Sequence, residues 1–311
     1  MFRRKNNKVT VIEKHILTDI SSVVKYVSDD KLAILLRDKF FEYTGKLPTE
    51  TLSTFNEKII WSGMFDVTPL KIMCADKYTV RQYVSDTIGE KYLINLVHQF
   101  DNLNDFDLSI LPNKFVLKYS EGSGKVLLCQ DKNSFNLEYI KSVMRGWVID
   151  EFWLHYFEMQ YKESAKKFIV EDFIDTKIEY KLWMFHGKCR FIKIEIMNEF
   201  AENGKPNNQY GKYFTPDWLP TDFKTVGQEP NFEIKKPKRL QELLSCAEKL
   251  SAPFDFVRVD FFETNDGELK FGELTFTPAA GRVHFMPEDK NLEFGKWIKM
   301  PERDNQGFAI R

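Results

Sequence analysis

FDFVRVDFFETNDGELKFGELTFTP, residues 254–278, decides the fold. Two apolar-polar alternating runs flank Asp266-Gly267, a strong hairpin turn signal. A turn centred on that pair sets Asp260 across from Glu273 and Arg258 across from Thr275. Because side chains alternate along a strand, these four project from one face. Val257, Val259, Phe261, Leu274 and Phe276 then gather on the other, as a core face would. Two facing carboxylates about 4 Å apart repel by roughly 4 kcal/mol at an effective dielectric near 20. A shared proton, a cation such as Arg258, or a bound metal would relieve this. Oxygen donors without histidine or cysteine suit Mg²⁺ or Mn²⁺. A surface ladder neutralised by Arg258 fits the same residues.

Upstream, KFVLKYSEGSGKV (114–126) runs a strand through Lys118 into Glu121-Gly122-Ser123-Gly124. Its backbone N–H groups could cradle a phosphate, but an ordinary hairpin also fits. It is not a Walker A loop, because the GxxxxGK[ST] spacing is absent. Lys77 follows Asp76 near a helix start. A further hairpin fits 179–185 and 188–196 around His186-Gly187, with Glu179, Lys181 and Trp183 on one face, where a solvated strand would serve equally. The five histidines show no metal-ligand spacing, and only His284, just beyond the carboxylate hairpin, stands near a candidate site. No GxSxG element supports a serine nucleophile.

The chain has 311 residues, 43% hydrophobic and 29% charged, as in a globular protein rather than a disordered one. Forty-five basic against forty-six acidic residues argue against coating nucleic acid or an anionic membrane. No run reaches the ~18 apolar residues of a membrane span. The basic start Met1–Arg4 leads into no apolar stretch, so no signal peptide is expected. Cys74, Cys129, Cys189 and Cys246 lie far apart, which points to free thiols in a reducing compartment and a cytoplasmic protein.

The first 75 residues read as helical. A helix from Asp30 ends at Gly45, Thr54–Glu57 forms a capping box, and another helix runs from Lys77 to Asp86 before Gly89. Strands are expected at 115–117, 126–128 and 168–170, with a helix over 135–161. The Asn- and Gly-rich stretch 203–237 carries Tyr210, Tyr213, Phe214 and Trp218, which suits an ordered, functional loop.

In this order the segments TFNEKIIW (54–61), ADKYTVRQYV (75–84), IGEKYLI (88–94), LPNKFVLKYSEGSG (111–124), VEDFI (170–174), EYKLWMFHGK (179–188), FDFVRVDFF (254–262) and FGELTFTPAAGR (271–282) resemble the ATP-grasp superfamily of carboxylate–amine ligases. The closer resemblance is to its TupA-like, teichuronopeptide-biosynthesis branch. It implies an α+β fold of two subdomains clasping ATP, 76–175 and 176–311, after a small helical region, 1–75. It implies Lys77 and Lys118 on the ATP phosphates, Glu121 to Gly124 as a lid, Glu171, Asp172, Phe173 and Ile174 at adenine, and Glu179 with Lys181 near the ribose. The metal triad falls on Asp260, Glu273 and Thr275, where the superfamily usually has Asn last. Arg258 matches an arginine that steadies the acyl-phosphate and tetrahedral intermediates, and Arg282 and His284 fall to the substrate.

The implied reaction joins a carboxylate to an amine with ATP and Mg²⁺ (or Mn²⁺). The implied acceptor is a cell-surface polysaccharide or its carboxylate-bearing precursor, such as a uronic acid, joined to an amino acid or amine. ATP-grasp ligases usually begin with an α/β domain that helps hold the substrate, whereas the 75 residues before Asp76 read as helical here, so the acceptor is expected to be held more by the C-terminal half. A non-catalytic nucleotide-binding partner and a sugar-modifying transferase are the alternatives.

Overall fold

The computed structural model describes residues 29–134, 136–176, 178–197, 209–225, 227 and 233–311. The expectations for residues 1–28, for Phe135 and for much of 203–237 lie outside them. Strands β1 (Leu96–Phe100), β2 (Phe115–Tyr119), β3 (Val126–Cys129) and β4 (Phe168–Asp172) form an antiparallel sheet in the order β1-β4-β2-β3. Next come β5 (Ile178–Phe185), β6 (Lys188–Met197), β7 (Gln209–Phe214) and the short β8 (Lys224–Thr225). After β9 (Phe256–Glu263) and β10 (Leu269–Thr275), the two-residue β11 (Phe285–Met286) pairs with β8. The second sheet runs β10-β9-β5-β6-β7.

Each sheet buries one alternating set of side chains. Phe115, Leu117, Phe168 and Val170 pack under Ile140 and Met144 of the helix Leu137–Ile149. Leu182, Ile192, Ile194, Val257 and Val259 pack with Leu243, Ala247 and Leu250 of the helix Leu240–Ser251. The helical region before residue 76 is present as Asp29–Thr44, Phe55–Phe65 and Pro69–Ala75. Its capping box forms as the sequence predicts: Thr54 Oγ1 accepts from the Glu57 N–H at 3.2 Å, and Glu57 Oε2 accepts from the Thr54 N–H at 3.0 Å. Phe55 from that helix sits among Trp183, Phe185, Phe256 and Phe285, joining helix to sheet.

The β9–β10 hairpin pairs Asp260 with Glu273 and Arg258 with Thr275, but by another route than a two-residue turn. Thr264 and Glu268 close a longer loop, with the Thr264 N–H on the Glu268 carbonyl at 2.9 Å. That loop pairs Phe261 with Phe271, one residue out of the expected register. A bulge at Gly272 restores it. The extra residue lets Phe271 stay in the core while Glu273, two positions on, faces away from it.

Two expectations need correction. The helix over 135–161 breaks: it ends at Ile149, resumes as Trp153–Tyr156, and closes in a 3₁₀ turn at Met159–Tyr161. The cause is Lys125, whose ammonium donates to the terminal carbonyls of Trp147 (3.0 Å) and Asp150 (2.9 Å). Phe152 then turns in against Gly122, where a Cβ would lie 2.4 Å from its ring, so no larger residue fits. The stretch 203–237 is also less irregular than expected, since Gln209–Phe214 is the edge strand of the second sheet. There Trp218 stacks on Phe214 with ring centroids 4.6 Å apart.

Lys125 and Glu121 form a buried ion pair at 3.1 Å, with side chains 4% and 2% exposed. Removing one partner of such a pair strands the other. Lys125→Met is expected to cost about 3 kcal/mol in urea unfolding; a loss below about 1 kcal/mol would show that this lock is not structural.

Candidate functional site

The strand order brings the charged side chains of four strands onto one face. β9 supplies Arg258 and Asp260, β10 supplies Glu273 and Thr275, β5 supplies Glu179 and Lys181, and β6 supplies Lys193 and Glu195. Arg258 Nε donates to Asp260 Oδ1 at 2.7 Å, and its Nη2 reaches Glu273 Oε1 at 2.8 Å. Lys181 Nζ lies 3.1 Å from Glu179, 3.2 Å from Glu195 and 3.4 Å from Asp260. Thr275 Oγ1 donates to Glu273 Oε1 at 2.9 Å. The strand carrying Glu179, Lys181 and Trp183 is therefore not a solvated one: the two charged side chains are only 12% and 13% exposed, and Trp183 is buried.

Burial works against every ion here, and the neighbours decide the outcome. At Glu273 burial raises the pKa, but Arg258, Lys181 and Lys77 outweigh it and hold the carboxyl down at about 2. Glu195 is likewise held at about 2 by Lys181 and Lys193. Glu179 goes the other way: burial, reinforced by Asp260, Glu195 and Glu273, overcomes Lys181 and pushes it up to about 7.

Beside this face lies a second group. Lys77, Arg81, Lys118, Glu171, Phe271 and Gly272 line a gap of only about 10 Å³. Glu171 accepts from Arg81 and from Lys118, both at 2.6 Å. Lys77 donates to the Gly122 carbonyl. Glu121 points inward to Lys125, so only Ser123 and Gly124 of the glycine-rich turn are exposed. Beyond Asp172 the chain leaves the sheet. Asp172 is exposed and accepts from Asn95 Nδ2 at 3.0 Å, while Phe173 and Ile174 are half-buried in the link to β5.

The structure sets Arg282 between the rings of Tyr43 and Tyr156, and leaves His284 exposed. Sequence patterns gave no hint of Arg81 or the buried Glu158, whose partners Glu171 and Thr277 lie 90 and 119 positions away, which no local spacing reports. Glu195 was also missed, although it had a usable signal as the residue cross-strand from Glu179 in the foreseen hairpin.

The donors on the first face suit a hard divalent cation. Glu273 is 37% exposed on its side chain, and the Thr275 hydroxyl lies beside it. Asp260 is fully buried with both oxygens on Arg258, so it could join only as the guanidinium shifts. Among the described residues no three acidic, histidine or cysteine side chains converge as a metal cluster. Glu273 and Thr275, with Asp260 behind them, are the residues that would hold Mg²⁺.

All four cysteines are free, and no described helix is long and apolar enough to cross a membrane. No curated protein matches the chain. Among solved structures, D-alanine–D-alanine ligase from Bacillus anthracis in complex with ATP is similar at 14% identity, covering 72% of this chain and 61% of that one, with a TM-score of 0.40. L-amino acid ligase from Bacillus licheniformis is similar at 16% identity over 69% of this chain and 44% of that one, TM-score 0.41. The ADP complex of PurK, N5-carboxyaminoimidazole ribonucleotide synthetase, is similar at 12% identity over 65% and 45%, TM-score 0.41. The chain thus spans roughly half the length of these structures, between 44% and 61%. The profile of the TupA-like ATP-grasp family matches residues 57–299. The sheets and charged faces described above fall inside those limits, and the chain belongs to the TupA-like ATP-grasp family, with its α+β fold.

Proposed function

We propose that the protein is an ATP-dependent carboxylate–amine ligase. The observation that carries this is the knot of Arg258, Asp260 and Glu273, open to solvent only at Glu273 and next to the cations Lys77 and Lys118. Such a face suits the transfer of a phosphoryl group, where positioning and charge neutralisation supply most of the catalysis.

In this reading residues 76–175 and 176–311 act as two jaws around the nucleotide. Lys77 and Lys118 hold its phosphates, the Glu121–Gly124 turn covers them, Glu171 to Ile174 meet adenine, and Glu179 and Lys181 lie toward the ribose. The 10 Å³ gap is far below the ~300 Å³ of a small ligand pocket, so the jaws part to admit ATP. A carboxylate oxygen of the acid attacks the γ-phosphorus, the bond to ADP breaks, and an acyl phosphate forms. The amine then attacks the acyl carbon and phosphate leaves. Arg258 donates to the oxyanion that develops on that carbon. Mg²⁺ (or Mn²⁺) held at Glu273 and Thr275 would supply neutralisation of phosphate charge. No protein nucleophile is needed. The family supports a carboxylate-bearing sugar or polysaccharide precursor as the acid, a uronic acid being the simplest case.

ADP release, followed by a coupled assay with uronic acids and a panel of amines, tests the reaction. An acid- and amine-dependent release is expected, and ADP formation indifferent to both would refute it. Glu273→Gln removes a carboxylate that Arg258, Lys181 and Lys77 hold down at about 2, so the ligand-free protein should lose stability at neutral pH, and the rise in melting temperature with Mg-ATP should disappear. A full shift in that mutant places the metal elsewhere. Arg258→Lys should keep ATP affinity but lower turnover by about 10²-fold or more, because a point charge cannot reproduce the fork of donors. Loss of ATP binding with normal residual turnover would contradict this role.

A further inference from the structure

The helix Asp29–Thr44 carries apolar side chains on both its inner and its outer side. The inner ones are accounted for: Leu32, Leu36 and Phe40 are buried, and Phe40 meets Phe65 edge-on with ring centroids 5.7 Å apart. On the outer side Ile34 and Phe41 are 59% and 54% exposed. They stand seven residues apart, two turns along one stripe of the helix. Arg37 and Asp38 lie between them, and Leu47, from the loop after the helix, completes the patch. These five residues line an open recess of about 550 Å³.

Scattered apolar residues are normal on a surface, but an apolar group bordered by charge on one face marks a place of interaction. The charges indicate what fits there. Arg37 and Asp38 are successive on a helix, so their side chains diverge and do not neutralise each other. Among the described residues neither side chain has an ion pair or a hydrogen bond. Positions 34, 37, 38 and 41 read apolar, basic, acidic, apolar, and reversing the helix exchanges only the two charges. A second helix laid antiparallel, with a two-fold axis between 37 and 38, therefore complements the first. It sets Ile34 of each copy against Phe41 of the other, and Arg37 of each against Asp38 of the other. Toward the ends the same axis matches Lys31 with Thr44 and Asp30 with Gly45, so no like charges stand directly opposite. A surface that complements itself about one axis is what a closed two-fold dimer requires, whereas an unrelated partner imposes no such symmetry.

We propose that the outer face of this helix is a homodimer interface, at which two copies of the chain meet through antiparallel Asp29–Thr44 helices about an axis between Arg37 and Asp38. Phe41 of each copy enters the recess of the other beside Ile34 and Leu47. One helix from each copy makes a small interface, so the dimer is a weak one, with a Kd in the micromolar range. The proposal goes beyond the ligase reading and does not depend on it.

Sedimentation velocity on the full chain, from about 1 to 500 µM, tests this. The weight-average mass should rise with concentration from that of the 36.8 kDa chain toward twice that value. Arg37→Asp leaves only acids at the axis and Asp38→Arg only bases, so each variant alone should associate at least tenfold more weakly. An equimolar mixture of the two variants restores opposite charges across the axis and should recover association to within about threefold of wild type. That recovery also shows that both variants fold. Phe41→Ser should weaken wild-type association at least tenfold with an unchanged melting temperature, since its ring is mostly exposed in the single chain. A wild-type chain that stays monomeric at the highest concentration overturns the proposal. So do single-charge variants that associate as wild type does, which puts the interface elsewhere, and a mixture that associates no better than either variant alone.

Discussion

The bridge of Arg258 between Asp260 and Glu273 is the contact on which the rest of the molecule depends. Facing carboxylates on adjacent strands repel, and a hairpin that carries them holds its register only while a cation spans them. One guanidinium is not enough for the whole face, which also gathers Glu179 and Glu195. Lys181 from β5 and Lys193 from β6 supply the remaining positive charge. The strand order β10-β9-β5-β6 is therefore also an electrostatic order, since moving any one strand would leave a buried ion without its partner.

Much of this was legible from residues alone, and the parts that were not have definite causes. The facing of Asp260 and Glu273 followed from the alternation of apolar and polar positions, which a core face enforces. The turn itself was misjudged by one residue, and the Gly272 bulge compensates for it. The pattern of Phe271, Glu273 and Thr275 contains that bulge, because Phe271 belongs to the core while the other two do not. The β5–β6 hairpin was legible for the same reason, with His186 at φ 47° in its turn. The break near residue 150 was not, because the lysine that ends that helix arrives from β3's edge, more than twenty residues earlier. Glu158 shows no periodicity at all: its meaning comes from Thr277, 119 positions away.

The helical region before residue 76 has a larger part than its length suggests. It sends Phe55 into the aromatic cluster beneath the second sheet, presses Ile60 onto the Thr277–Gly281 turn, and contributes Tyr43 to the rings around Arg282. The Phe55–Phe65 helix packs against the turn that follows the carboxylate hairpin, in which Ala279 (φ 51°) and Ala280 (φ 49°) take the left-handed conformation.

In the proposed ligase reading the gap beside Glu171 takes the nucleotide, and the cations around it among the described residues are already engaged: Lys118 and Arg81 with Glu171, Lys77 with the Gly122 carbonyl, and the neighbouring Arg258 with its two carboxylates. A ligand entering there does not meet vacant positive charge. It behaves like an eluent on an ion-exchange resin, gaining a cation only by displacing the group that held it. Net affinity is then the small difference between two large attractions, and it grows with the number of charges the ligand brings to the exchange. A monophosphate can release few of these contacts, whereas a triphosphate accompanied by its own counterion can release several together. In that reading, discrimination among nucleotides by phosphate number follows from this stoichiometry.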